Sequence, residues 1–239
     1  KDLNVLEQGV LEGRKTFTNM LKYIKITASS NFGNIFSIIC ASAFLPFLPM
    51  TSIQILLLNL LYDTLCIVLP WDNVDEEEIL SPRDWSGKTL KQFMLSFGPI
   101  SSLFDIVTFL FLYYFLCPML CGGATYLQLT DPSLKLQYAA LFQTGWFLES
   151  MWTQVLILHF LRTAKIPFLQ SRASAPVISI TLVGILAFTA LTFTSGASLF
   201  GLTKLPLWYF AFLLLVAFFY MLLSSVTKYF YKNKYQELI

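Results

Sequence analysis

Two apolar stretches of this chain carry polar side chains at helical spacing. The first, TASSNFGNIFSIICASAF, contains Asn31 and Asn34, and the second, SIQILLLNLLYDTLCIVLP, contains Asn59 and Asp63. Positions three and four apart lie on one face of a helix, so each stretch presents its polar side chains to one side. Amide and carboxylate oxygens are ligands of hard cations such as Mg²⁺, Ca²⁺ and Mn²⁺. Two such faces packed against each other would therefore line a cation site with oxygen.

Asp63 and Glu149 are carboxylates inside membrane-length apolar segments. An ionisable side chain at the centre of a membrane helix costs roughly 2.5 to 3.5 kcal/mol on insertion scales, which is why such a residue usually serves a function. Glu149 has three interpretations: a further cation ligand, a proton site, or the partner of a buried donor. The amides have a structural alternative, because interhelical hydrogen bonds hold membrane helices together. For Asn31 both interpretations stay open.

The composition indicates a membrane protein. Of the 239 residues, 56% are hydrophobic and 13% are charged, against roughly 25% charged in soluble domains, and the mean hydropathy is +0.66. The 23 Phe, 11 Tyr and 5 Trp fit lipid-facing helices and interfacial belts. The net charge of +2 gives no reason to expect a nucleic-acid partner. The expected surroundings are membrane lipid.

Six segments are long enough to cross roughly 30 Å of hydrocarbon as helices. They lie at about 24–47, 51–70, 97–118, 140–161, 176–196 and 206–227. Lys and Arg accumulate in cytoplasmic loops, and an N-terminus in the cytoplasm puts fourteen of the sixteen, Lys1 included, on that side. Lys135 and Lys204 then lie outside. The sequence predicts an all-α membrane protein with six transmembrane helices and both termini in the cytoplasm.

Several motifs resemble a known family. The stretches LEGRKTFTNMLKYIK, TASSNFGNIFSIICASAFLPFLPM and QILLLNLLYDTLCIVLPWDNVDEEE resemble the C-terminal membrane part of P-type ATPases. The elements SSNFGN, NLLYD, PWDNVDEE, TGWFLESMWTQ and HFLRTAKIPFLQSRAS are similar to the bacterial magnesium-transporting branch. The resemblance extends from about Leu11 to Tyr220. It implies the fifth to tenth helices of a ten-helix, multi-pass pump in the bacterial inner (plasma) membrane.

The resemblance also implies a transport site shared by the fourth, fifth and sixth helices of the pump. Its expected ligands are Asn31 and Asn34 on the fifth helix and Asn59 and Asp63 on the sixth, with Mg²⁺ as the transported ion. The choice of Mg²⁺ over Ca²⁺ depends on the resemblance alone, because both ions take oxygen ligands. The fourth helix and its ligands are expected in the N-terminal part of the same pump.

By the same resemblance, this chain carries no catalytic residues of its own. The sequence contains neither a DKTGT phosphorylation motif nor a nucleotide-binding domain. ATP is therefore expected to act only through the N-terminal part, which holds helices one to four and the phosphorylation, nucleotide and actuator domains. The chain begins without Met, and we expect Lys1 to be a cut point in a longer protein. Alone, the chain should not hydrolyse ATP.

Five regions follow from these assignments. They are a cytoplasmic stalk or linker from the phosphorylation domain at 1–23, two transmembrane helices with the cation site at 24–70, a cytoplasmic acidic loop at 71–96, four supporting transmembrane helices at 97–227 and a cytoplasmic tail at 228–239. Acidic runs in loops are usually solvated. The family, however, places this loop near the phosphorylation domain. Asp72, Asp75 and Glu76 are therefore candidates for interdomain coupling or cation sensing.

Three other functions are compatible with these residues. A stand-alone passive channel or carrier for divalent cations would carry flux without ATP. A P-type pump for another cation, such as Ca²⁺, would use the same kinds of oxygen ligand. In a membrane scaffold, the polar residues would serve only to pack helices.

Overall fold

The computed structural model describes residues 3–235 and 238, and the secondary structure there is almost entirely helical. The helices are α1 (Leu3–Phe44), α2 (Ser52–Val68), α3 (Glu76–Ile79), α4 (Gly87–Phe111), α5 (Cys117–Leu120), α6 (Pro132–Leu161), α7 (Ala175–Leu191) and α8 (Trp208–Tyr235). Short 3₁₀ segments span Leu69–Trp71 and Ser195–Phe200, and a π-helical turn at Leu112–Leu116 joins α4 to α5. Lys1 of the predicted charge balance and part of the predicted tail 228–239 lie outside the described residues. The predicted all-α class is confirmed.

Side-chain caps define where two of the helices begin. Thr51 precedes α2 in a capping box: its hydroxyl accepts the backbone N–H of Gln54 at 3.4 Å, and the Gln54 side chain accepts the backbone N–H of Thr51 at 3.1 Å. Asp131 precedes α6 and accepts the backbone N–H of Ser133 at 2.8 Å. Pro132 opens that helix, where a missing N–H has no cost. Both caps satisfy donors that a helix leaves free at its start.

Three helical stretches are long and apolar enough to cross a membrane by length and composition: Ser52–Trp71, Gly87–Leu120 and Trp208–Tyr235. Ala175–Leu191 is apolar but shorter. Large apolar side chains on these stretches, such as Leu56, are exposed on the surface of the bundle. Such exposure is expected where a helix faces lipid. The predicted count of six spans and the location of the termini stay predictions.

Helix α1 is a single helix of 42 residues, about 63 Å long at 1.5 Å per residue. It runs without a break from the predicted stalk into the first predicted span. Its early residues, such as Leu3, are exposed, and its buried side chains begin at Thr18. It ends at Phe44, two residues before Pro46, which cannot donate a helical hydrogen bond. The stalk and the first predicted pair of site residues therefore share one rigid element.

Helix α6 forms the centre of the bundle. It packs against α2, α4, α7 and α8, and every residue from Gly145 to Met151 is buried. Tyr209 of α8 donates a hydrogen bond to the Gly145 carbonyl at 2.7 Å. Because these turns of α6 have no exposed side, their polar side chains are buried away from both water and lipid.

Helices α1 and α4 approach closely at two glycines. A Cβ atom at Gly33 of α1 would lie 2.1 Å from Ser101 Oγ and 3.0 Å from the Gly98 carbonyl oxygen of α4. The Ser102 hydroxyl donates to the Gly33 carbonyl at 3.0 Å. Small residues allow two membrane helices to approach in this way. The contact sets the position of α1 on the bundle.

Gly33→Ala is expected to lower the stability of the protein by about 1–3 kcal/mol, the usual cost of overpacking. Ser101 can rotate away from a new Cβ, but the Gly98 carbonyl is backbone and moves only if α4 shifts. The measurement is the thermal unfolding midpoint of the purified intact polypeptide in detergent. Gly13→Ala is the matched control, because a Cβ there meets no atom within 4 Å. Equal midpoints for the two variants would contradict the close approach.

Candidate cation site

Asn31 and Asn34 lie on α1, on either side of the close approach at Gly33. Asn34 is half-buried, and its side-chain oxygen accepts a hydrogen bond from Gln154 Nε2 of α6 at 2.8 Å. Asn31 is exposed at the surface of this chain. The structure therefore ties Asn34 to α6. Gln154 was not among the predicted site residues, although it is an amide in the same apolar segment as Glu149.

Asn59 and Asp63 lie one turn apart on the exposed face of α2. The opposite face is packed, with Leu58, Leu61 and Leu65 among its buried residues. This helix belongs to a stretch that is long and apolar enough to cross a membrane. The amide and the carboxylate thus share one side of an apolar helix, and that side is not covered by the described part of this chain.

The two helices that carry the predicted ligands touch at Thr27 of α1 and Cys66 of α2, where Oγ1 and Sγ are 3.6 Å apart. Within residues 3–235 and 238, no hydrogen bond links Asn34 to either Asn59 or Asp63. The predicted set of four ligands therefore stays a prediction. Exposed amides and a carboxylate in an apolar segment still need polar partners in a membrane, since lipid supplies none.

Glu149 is on a different face of α6 from Gln154. The two residues are five positions apart, which separates their directions by about 140° around a helix. Gln154 reaches α1, whereas Glu149 is buried, with 1% of its surface exposed, and interacts with Asp105 of α4. The structure thus pairs the second intramembrane carboxylate with a third, which the sequence did not link to it.

A charged cluster, formed by Asp72, Lys22 and Arg162, closes one end of the bundle. Asp72 Oδ2 lies 2.5 Å from Arg162 Nε and 3.4 Å from Lys22 Nζ, and the side chains of all three residues are at most 1% exposed. Asp72 Oδ1 also accepts the backbone N–H of Ser174 at 3.0 Å. Arg162 donates further to the carbonyl of Asn73 at 3.0 Å. The start of the acidic loop is thereby fixed to α1, α6 and the segment before α7.

The next two acidic residues of the loop, Asp75 and Glu76, have different environments. Asp75 accepts hydrogen bonds from the hydroxyls of Thr163 and Ser171, the latter at 2.7 Å. Burial raises the pKa of Asp75, but these two hydrogen bonds, with the positive charges of Lys165 and Arg162, outweigh it and hold the pKa below its usual value. Glu76 is exposed at the start of α3. Of the three residues predicted for coupling, Asp72 and Asp75 turn inward and Glu76 turns outward.

Residues 47–230 match the family model described as the C-terminus of cation-transporting ATPases. The chain belongs to this family. The resemblance deduced from the motifs is confirmed, and with the apolar helices above it establishes an all-α membrane protein.

Three relatives carry the name "Magnesium-transporting ATPase, P-type 1". The chain is 46% identical over 235 residues to the protein of Salmonella typhimurium strain 14028s and to that of Escherichia coli strain K12, in each case over 98% of this chain and 24% of the relative. It is 43% identical over 237 residues to one from Salmonella typhimurium strain LT2, over 99% of this chain and 24% of the relative. The chain spans about a quarter of the length of these relatives.

Proposed function

We propose that this chain is the transmembrane cation-translocation part of an ATP-driven Mg²⁺ importer in the bacterial inner membrane. The observation that carries the proposal is the exposed face of α2, where Asn59 and Asp63 lie one turn apart on an otherwise apolar helix. Membership in a cation-transporting ATPase family and the names of the magnesium-transporting relatives support the choice of ion.

The proposed ligands of the transported Mg²⁺ are Asn31, Asn34, Asn59 and Asp63. Mg²⁺ requires near-octahedral coordination and gives up its waters reluctantly. One carboxylate and several amides therefore suit a partly hydrated ion, with water in the remaining positions. The bond from Gln154 to Asn34 then has a positioning role, because it fixes the direction of one amide oxygen.

The proposed partner is the N-terminal part of the same pump. Asn31, Asn59 and Asp63 are exposed on this chain, and a helix from the N-terminal part would cover them and add its own ligands. That part would also supply the phosphorylation, nucleotide and actuator domains. ATP hydrolysis there would change how the helices pack and move Mg²⁺ across the membrane, and this chain contributes none of the ATP chemistry.

The charged cluster and the stalk could transmit a conformational change from the N-terminal domains to the membrane helices. Lys22 of α1 lies in the cluster with Asp72 and Arg162, so movement of the stalk acts directly on the start of the acidic loop. Glu76, exposed at the start of α3, is free to contact a neighbouring domain. We assign Asp72 and Asp75 to holding the loop and Glu76 to the interdomain contact.

The test of the proposed function is Mg²⁺ accumulation by the intact polypeptide in liposomes, with and without ATP. We expect accumulation that requires ATP, since a pump couples every transport cycle to hydrolysis. Equal Mg²⁺ flux without ATP would contradict the proposal and favour a passive channel or carrier. Repeating the assay with Ca²⁺ in place of Mg²⁺ distinguishes the two ions, and preferential accumulation of Ca²⁺ would overturn the choice of Mg²⁺.

A further inference from the structure

Asp105 of α4 is a buried carboxyl group held by two hydrogen-bond donors. It is 4% exposed. The Ser37 hydroxyl of α1 donates to Oδ2 at 2.6 Å, and Trp146 Nε1 of α6 donates to Oδ1 at 2.7 Å. Each carboxyl oxygen thus receives a hydrogen bond from a different neighbouring helix. Donors aimed at both oxygens stabilise the ionised form of a carboxyl group.

Glu149 faces the same point from α6. It lies three positions after Trp146 and so on the same face of the helix, and its carboxyl group is a hydrogen-bonding neighbour of the Asp105 carboxyl. It is 1% exposed. Among the described residues, Glu149 Oε2 has no hydrogen-bond partner. The side chain is therefore polar, buried and only partly satisfied.

The strongest interactions of these two buried carboxyl groups are with each other and with neutral donors. Two tyrosines of α8 interact electrostatically with the pair: Tyr209 with Glu149, and Tyr220 with both carboxyl groups. The main influences on Asp105 are its burial, the Glu149 carboxyl group and the donors Ser37 and Trp146, and those on Glu149 are its burial and Asp105. Two like charges in contact inside a low-dielectric core repel each other strongly, and each also loses its hydration. Two carboxyl groups that share one hydrogen bond in such a site do not both ionise.

We infer that Asp105 and Glu149 form a proton-binding site. The Glu149 carboxyl group carries the proton and donates a hydrogen bond to the ionised carboxylate of Asp105. The assignment follows from the donors: Ser37 and Trp146 already stabilise the charged form of Asp105, whereas Glu149 has no such donors. The pair keeps one negative charge in total.

A small cavity lies near Tyr220 and is lined by both polar and apolar side chains. It has a volume of about 10 Å³ and is lined by serines from three helices, α1, α4 and α8, and by Tyr220. Tyr220 also interacts electrostatically with both carboxyl groups of the pair. A space of roughly 10–15 Å³ is enough for one water molecule. Tyr220 thus faces both the cavity and the carboxyl pair.

The test is infrared spectroscopy of the purified intact polypeptide, because a protonated carboxylic acid has a carbonyl stretching band that a carboxylate lacks. At neutral pH an isolated Asp or Glu, with a pKa of about 4, is ionised. We expect a protonated-carboxyl band at neutral pH in the unmodified protein and its loss in Glu149→Gln. In Asp105→Asn we expect a shifted band, because Glu149 keeps its proton but its acceptor changes from a carboxylate to a neutral amide oxygen.

Glu77→Gln is the control, because Glu77 is an exposed carboxylate of the acidic loop whose side chain is 65% accessible. It should leave the band unchanged. Both Glu149→Gln and Asp105→Asn are nearly isosteric, and size-exclusion chromatography shows whether each is folded. A band that survives unchanged in Glu149→Gln, or one that is absent from the unmodified protein at neutral pH, would overturn the inference. The readout does not depend on transport, so it stands apart from the proposed function.

Discussion

Asp63→Asn is expected to abolish Mg²⁺ uptake while the protein still folds and inserts. Asp63 lies on the exposed face of α2, and the packed face opposite is formed by other residues. Asn has the same shape, so the change removes the charge and leaves the packing. Loss of an outer-shell partner alone typically costs about 10–100-fold in metal affinity, and loss of the carboxylate ligand itself should cost at least as much. We expect uptake at background level.

The measurement is Mg²⁺ uptake by cells that lack other importers, with variants compared at matched membrane levels. Asp131→Asn is the matched control, since it makes the same carboxylate-to-amide change at an exposed N-cap of α6, where Asn also caps well. Its uptake should equal that of the unmodified protein. Normal uptake by folded Asp63→Asn would place the transport site elsewhere in the pump.

Arg162→Ala is expected to destabilise the protein by about 3–5 kcal/mol, the usual cost of removing one partner of a buried ion pair. The change leaves the carboxylate of Asp72, which is 0% exposed, with the longer 3.4 Å contact to Lys22 and the backbone N–H of Ser174. It also removes the donors that bind the backbone carbonyls of Asn73 and Arg172. The affected segments are the start of the acidic loop and the connection between α6 and α7.

This prediction is checked by thermal unfolding of the purified intact polypeptide in detergent. Lys15→Ala breaks the exposed Lys15–Glu12 pair, whose side chains are 43% and 69% accessible, and should cost no more than about 1 kcal/mol. Arg162→Lys keeps the charge but loses the planar fork of donors, so we expect an intermediate midpoint. Equal unfolding midpoints for Arg162→Ala and Lys15→Ala would show that the charged cluster does not stabilise this end of the bundle.

Much of the architecture could be predicted because it is encoded locally. Long apolar runs predict the membrane helices from length and composition alone. The spacing of Asn59 and Asp63 also places them on one face without any knowledge of the neighbours. The motifs led to the family that the comparison confirmed.

Local sequence patterns do not predict which acidic residues of the loop are buried. Asp72, Asp75 and Glu76 are all acidic residues in a polar segment, and nothing in that pattern separates them. The structure buries Asp72 against Arg162, which is 90 positions away, and exposes Glu76. Which of them turns inward depends on the docking of the loop against α6, and sequence spacing does not encode that.

By itself, the sequence determined the helical class, the family and the polar faces of α1 and α2, because these depend on residues near one another in the chain. Only the tertiary structure decided that Gln154 binds Asn34, that Arg162 binds Asp72 and that Glu149 meets Asp105. Each of these pairs joins two different elements of the chain. Their formation depends on the rotation and depth of the packed helices, which are set by contacts such as that of Gly33 with α4.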